Sequence, residues 1–299
     1  MREELFKNCT LCPRKCNVNR LEGKRGYCGM DGTIRAARAA LHMWEEPCIS
    51  GKKGSGAVFF SGCGLRCCFC QNRDIAIGDS GKEISVERLA EIFLELQEKG
   101  AANLNLVTGA HYVPHIISAL ELARGKGMNL PVVYNSSGYE SVETIRRLDG
   151  YVDVYLPDMK YMEPELAAAF SNARDYPQVA QSAIAEMLRQ TGPCQFFEDG
   201  YIKRGTIVRH LILPGHTKNS IAVLKYLYRT YGEDIFISVM NQYTPVWKNE
   251  KFPELNRKVT RREYEKVLDA AIELGIENGY FQEGETAEES FIPVFDYEG

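Results

Sequence analysis

The sequence predicts an α/β fold organised around a parallel sheet. Short β-branched or aromatic runs alternate with helical stretches from about residue 58. These strand–helix units, about six of them, span residues 57–245. No internal repeat or low-complexity segment interrupts the alternation. The first strand is "AVFFSG", followed after a cysteine-rich stretch by "SVERLAEIFLELQEKG". There Val86, Leu89, Ile92, Phe93 and Leu96 recur at helical spacing, and Gly100 sits where a C-cap belongs. "NLNLVTG" reads as the next strand and "VPHIISALELARGKG" as the next helix, with Pro114 in a tolerated first-turn position. "LPVVYNSSG", "VDVYLPDMK", "TIVRHLILPG" and "DIFISVMNQY" supply four more strands, separated by helices such as "SIAVLKYLYRTYG". The long stretch from Tyr161 to Gly205 reads as helical with proline breaks.

Two closures fit this pattern, an open doubly wound sheet or an incomplete barrel. No GxGxxG loop follows the first strand, which disfavours a dinucleotide-binding sheet. In either closure, functional groups gather at the carboxyl ends of the strands. Those ends read Cys63 to Cys70, then Thr108, Gly109 and His111, then Asn135 to Ser137. Asp158 and Lys160 follow, then His210 and Pro214, then Met240, Gln242 and Tyr243. Polar groups therefore converge on the mouth that holds the thiols.

The 299 residues are 44% hydrophobic and 25% charged, enough to bury a full core without disulfides. The start, "MREELFKNCT", carries no apolar run, and no stretch has the ~18 apolar residues of a membrane helix. A cytoplasmic protein with no membrane partner is expected, and in a reducing compartment ten cysteines read as ligands rather than crosslinks. A net charge of −4 without a basic run of five disfavours nucleic-acid binding.

Seven cysteines fall into two groups, Cys9, Cys12, Cys16 and Cys28, and then Cys63, Cys67 and Cys70. Three thiolates spaced as in the second group can wrap one face of a cubane iron–sulfur cluster and leave one iron open, as a catalytic zinc keeps an open position. Cys68 adjoins Cys67 and reads as a small buried hydrophobe. A zinc knuckle completed by a distant residue is the competing reading. The first group offers four thiolates within 20 residues, with Pro13, Gly23, Gly26 and Gly29 supplying turns. Zinc or an auxiliary iron–sulfur cluster would each suit it.

"CGLRCCFC" matches the CxxxCxφC pattern of the radical S-adenosylmethionine (SAM) superfamily, with Phe69 as the aromatic φ. With "CTLCPRKCNVNR", "HMWEEPCISG", "PVVYNSSGYESVETI", "DVYLPDMKY" and "IVRHLILPG", the chain resembles uncharacterised relatives of pyruvate formate-lyase activating enzyme. The resemblance implies a partial (β/α)6 barrel. It also implies a [4Fe–4S] cluster on Cys63, Cys67 and Cys70 whose open iron binds SAM. Reductive cleavage to a 5′-deoxyadenosyl radical and hydrogen abstraction would follow. It further implies a reducing donor such as flavodoxin or ferredoxin, and a glycyl-radical enzyme as partner. A small-molecule or peptide modifier, or a cluster-bearing electron carrier without turnover, are the alternatives.

The family's acidic turn after the second strand is replaced here by "VTGAHY", so Thr108 and nearby carbonyls would take the SAM amino group. By the same resemblance Asn135 and Ser137 suit ribose hydroxyls, Asp158 and Lys160 face SAM, and His210 approaches SAM or its adenine. Arg209 is expected on the outer face of its strand. Glu45 or Glu46 is expected near the mouth, while His111 faces solvent or substrate. The chain divides into a cysteine-rich segment at 1–50, the barrel at 51–250, and a C-terminal helix with an acidic tail at 251–299.

Overall fold

The computed structural model describes residues 4–78, 80–282 and 295; most of the acidic tail lies outside them. Ten strands occur in this part: β1 (Ile34–His42), β2 (Ser55–Phe60), β3 (Lys82–Ile84), β4 (Leu104–Val107), β5 (Val132–Ser136), β6 (Val154–Pro157), β7 (Gln195–Phe196), β8 (Ile202–Leu211), β9 (Phe236–Met240) and β10 (Gly279–Phe281). Their order across the sheet is β10-β9-β8-β6-β5-β4-β2-β1-β3, with β7 paired to β8 off this path. The six expected strands are β2, β4, β5, β6, β8 and β9, and each pairs in parallel with the next. The order has two free ends, at β10 and β3, so the sheet curls without closing.

β1 runs antiparallel to β2 and covers what would otherwise be its bare edge. Because His42 pairs with Ser55 at the start of β2, the chain leaves β1 at the amino ends of the parallel strands. From there residues 43–50 turn inward. Cys48 and Ile49, on a short helix Pro47–Ser50, pack against Val133, Val154, Leu156, Ile202 and Ile207 inside the sheet's curl.

Alternation along each strand sorts the side chains onto two faces. Val58 and Phe60 of β2, Leu104 and Leu106 of β4, and Val132 and Tyr134 of β5 point to the helices Val86–Glu98 and Val113–Gly125. The first of these helices starts on Ser85, whose side chain accepts from the Arg88 amide, and buries Leu89, Ala90, Ile92, Phe93 and Leu96. Val208 of β8 and Ile237 and Val239 of β9 pack on the other side of the shell, with helices Tyr176–Thr191, Thr217–Tyr231 and Arg261–Leu274. The inner face carries Ala57, Phe59 and Val107 at one end, and Val133, Val154, Leu156 and Ile207 further round. No helix among the described residues is long and apolar enough to cross a membrane.

Candidate functional site

The inward positions nearest the carboxyl ends of the six parallel strands are Phe59, Val107, Asn135, Asp158, Arg209 and Met240. All six line one cavity of about 220 Å³, together with Cys67 and Cys70. For Phe59, Asn135, Asp158 and Arg209 this follows from the alternation that buries Ala57, Val133, Leu156 and Ile207 two residues earlier. Arg209 lies two residues after inward-facing Ile207, and its strand bridges to Asp158 in parallel register.

This register corrects the expectation for β8. Arg209, expected outside, points into the cavity, while His210 points to the helix side. The His210 ring is 1% exposed, with Nδ1 2.7 Å from the Met159 carbonyl and Nε2 2.9 Å from the Ser220 hydroxyl. Burial lowers its pKa to about 4. It is a core residue joining β8 to its neighbours and does not line the cavity.

Arg209 organises the cavity floor. It donates to Asp158 at 3.0 Å, Glu45 at 3.1 Å and Asn135 at 2.6 Å. The other Glu45 oxygen accepts from Asn105 at 3.0 Å and Asn135 at 3.1 Å, so the inward-turned 43–50 segment delivers a carboxylate to the strands' inner face. Lys160 Nζ stands 2.5 Å from the second Asp158 oxygen. Burial works to raise the Asp158 pKa, but Lys160 and Arg209 outweigh it and hold the carboxylate below its ordinary value. Glu45, Asn135, Asp158 and Lys160 thus meet in one place.

Thr108 and Ser137 do not line the cavity. Thr108 follows β4 in the left-handed region at φ 60°, a strained state for a β-branched residue, and its amide donates to the Asn135 carbonyl at 2.9 Å. Met240 and Gln242 line the cavity as expected; Tyr243 backs it, its ring 6.3 Å from that of Phe69. The expectation that His111 faces solvent or substrate is likewise corrected. His111 is 3% exposed and its Nε2 contacts the Ser61 carbonyl at 2.7 Å, bracing the start of the cysteine loop.

That loop leaves β2 through Gly62 at φ 90°, where a Cβ would lie 2.5 Å from Met30 Cγ and 2.9 Å from the Cys28 carbonyl, so a side chain is excluded. Burial pushes the Cys63 and Cys67 thiols up and the Cys70 thiol up to about 12, with Lys160 pulling all three back toward the thiolate. The Ser171 hydroxyl donates to Cys67 Sγ at 2.9 Å. Cys68 faces away from the cavity, toward Asn249.

The N-terminal cysteine segment packs directly on this loop, which sequence reasoning did not anticipate. Arg14 donates to the Gly64 carbonyl at 2.8 Å, Thr144 to the Leu11 carbonyl at 2.7 Å, and buried Arg20 to the His111 carbonyl at 2.6 Å. The Cys12 sulfur lies against Gly64, and the Cys16 and Cys28 sulfurs both lie against Gly26. Among the described residues, no three Cys, His, Asp or Glu side chains converge at the spacing of a single metal ion. A cubane does not require that spacing, because each thiolate binds a different iron.

A family model described as the radical SAM superfamily matches residues 57–227. The chain belongs to the radical SAM superfamily. It is also 30% identical, over 90% of its length and 75% of the relative's, to an uncharacterised protein of Methanocaldococcus jannaschii. Similarity to the pyruvate formate-lyase-activating enzyme of Clostridium pasteurianum is 27% over 36% of this chain and 46% of that one. The fold is similar to the FeFe-hydrogenase maturase HydG from Carboxydothermus hydrogenoformans, with a TM-score of 0.51 and 14% identity, covering 79% of this chain and 58% of that one.

Membership of the radical SAM superfamily implies a [4Fe–4S] cluster and SAM. The donor set of this radical SAM protein fits both. Thiols alone supply the loop's soft donors, as such clusters use. The cavity offers anionic, cationic and amide groups within a few ångströms of each other, beside the aromatic faces of Trp44, Phe59 and Phe69. That is the complement of a molecule carrying an ammonium, a carboxylate, a sulfonium and a base.

Proposed function

We propose that this chain is a radical SAM enzyme in which Cys63, Cys67 and Cys70 hold three irons of a [4Fe–4S] cluster and the adjoining cavity holds SAM at the fourth. When bound and reduced, that pair supplies a 5′-deoxyadenosyl radical that takes a hydrogen atom from a substrate. The observation carrying this reading is that the cysteine loop, through Cys67 and Cys70, and a floor of opposed charges line one cavity at the carboxyl ends of one set of parallel strands.

The chain's own residues bind, orient and exclude water. Asp158 and Glu45 are anionic partners for the SAM ammonium and sulfonium; Lys160 is the cation for its carboxylate. Arg209 fixes both carboxylates and Asn135 in place, so the floor is organised before SAM arrives. Phe59 and Phe69 are apolar walls that keep water from the reacting bonds.

Cys9, Cys12, Cys16 and Cys28 would hold a second centre; of zinc and an auxiliary cluster the cluster fits better, since no three of these thiols converge at the spacing of a single ion, and the Cys12 sulfur against Gly64 ties the segment to the loop. Outside the loop, Arg66, Arg73, Lys248 and Lys251 surround Cys67, Cys68 and Cys70. This basic rim suits an acidic electron donor such as flavodoxin or ferredoxin. Activation of a glycyl-radical enzyme is the finer reading that the activating-enzyme similarity supports, over a limited part of the chain.

The test is anaerobic reconstitution with iron and sulfide, reduction, and quantification of 5′-deoxyadenosine from SAM. The wild type is expected to form it, while Cys63→Ala, Cys67→Ala and Cys70→Ala each lose it together with loop-bound iron. Intact SAM in the reduced wild type leaves an electron carrier as the better reading.

A further inference from the structure

Beside the cavity lies a second recess of about 320 Å³. Its walls are residues 43–47, Ser238 and Met240 from β9, and Tyr280 and Phe281 from β10. Trp44, Glu45, Arg209, Met240 and Gln242 line both volumes, so the recess adjoins the SAM floor. β10 is the last strand of the sheet order, which puts the recess at the sheet's open side.

Two consecutive carboxylates meet there in different states. Glu45 is satisfied by Asn105, Asn135 and Arg209. Glu46 is 7% exposed, lines the recess, and its Oε2 has no hydrogen-bond partner. Arg209 directs its hydrogen bonds to Glu45, Asp158 and Asn135, leaving Glu46 without a direct donor from it. Burial pushes the Glu46 carboxyl above its ordinary value against the pull of Arg209.

A buried carboxylate with an empty acceptor site is destabilising unless a ligand completes it. The recess holds two carboxylates against one guanidinium, which favours a cation. A metal ion would ask for about six oxygens, and among the described residues no three Cys, His, Asp or Glu side chains converge at the spacing of a single ion; here Trp44, Tyr280, Phe281, Met43 and Met240 stand beside the neutral polar Ser238, Gln242 and Gln282, a mixture that suits an organic cation.

The geometry points to the recess as the substrate site of this enzyme, taking a substrate that carries an organic ammonium group. Glu46 accepts its N–H, while Trp44, Tyr280 and Phe281 cover its carbon skeleton beside the SAM floor. This deepens the radical reading above and rests on it, since only a radical source next door makes the recess a place of reaction.

The experiment titrates anaerobically purified full-length protein with 2-phenylethylammonium and with 2-phenylethanol, its uncharged isostere, by calorimetry. The wild type is expected to bind the ammonium at least ~10-fold more tightly, as a hydrogen bond to a charged partner implies. Glu46→Gln should abolish that preference. Trp44→Ala, at a position 57% exposed and so safe for folding, should weaken both probes. Equal binding of the two probes by the wild type, or a preference untouched by Glu46→Gln, overturns the assignment. If Glu46→Gln fails to fold, the wild-type preference and its response to Trp44→Ala decide. Neither titration needs reduction or SAM turnover. A protein that binds the ammonium but leaves SAM intact refutes the radical reading, and one that cleaves SAM but ignores the ammonium refutes the recess alone.

Discussion

Arg209 joins three groups that arrive from three separate parts of the chain: Glu45 from the segment after β1, Asn135 from β5 and Asp158 from beyond β6. Its guanidinium is 14% exposed and its two carboxylate partners 8% and 15%, so water screens these pairs poorly. Removing one partner of a buried charge network leaves the others uncompensated. Arg209→Met is therefore expected to lower stability by about 3–5 kcal/mol, as chemical denaturation would measure. A loss below about 1 kcal/mol would place the network in the weakly contributing surface class. The residue was misplaced at the sequence level for a physical reason. "TIVRHL" belongs to a strand buried on both faces, so hydrophobicity does not alternate and the phase of Arg209 against His210 is invisible. The register with β6, which sets Arg209 beside Asp158, supplies that phase.

At the level of elements, the six parallel strands and the helices between them were legible because short β-branched or aromatic runs alternate with stretches whose apolar residues recur at helical spacing. The edges were not. β1, "IRAARAALH", is rich in alanine, which favours helix, and it becomes a strand because it pairs along β2. The inward turn of residues 43–50 was legible only in part: by residue type "MWEEPCIS" reads as a solvated loop, and the family resemblance alone put Glu45 or Glu46 near the mouth, because the apolar space that Cys48 and Ile49 fill exists only once the sheet has curled. His210 shows how elements are pinned together: it ties β8 to the Met159 carbonyl beyond β6 and to Ser220 on the helix Thr217–Tyr231. Burial lowers its pKa from 6.5 to about 4. In the unfolded chain the ring protonates near 6.5, and in the fold it stays neutral down to about 4, so the unfolded state binds more protons between those values. The stability this ring contributes is therefore complete above pH 6.5 and lost as pH falls toward 4, by about 3 kcal/mol for that shift. The difference in unfolding free energy between the wild type and His210→Gln should be flat above pH 7 and shrink on acidification. A difference independent of pH would mean that the ring titrates alike in the folded and unfolded chain, with no lowering by burial.

Across the whole molecule, the described sheet is unclosed, with the second recess at its β10 side and the cysteine loop at the carboxyl ends of its parallel strands. The N-terminal segment docks on the thiol loop from outside, through Arg14 and Arg20, while the 43–50 segment fills the interior from the opposite end of the strands. The cysteine motif and the family it matches set the chemistry expected of the loop; which surfaces meet it depends on contacts between residues more than 90 positions apart, such as Arg20 with His111. The proposed function unites these features through a cluster held by three protein thiols with one iron left for SAM. The most direct measurement is electron paramagnetic and electron–nuclear double resonance of the reduced, reconstituted protein with SAM labelled at its amino nitrogen and carboxylate. Hyperfine coupling from both labelled groups to the cluster is the expected result, lost with the cluster in Cys67→Ala. A reduced cluster whose spectrum ignores SAM, with no coupling from either group, would contradict it.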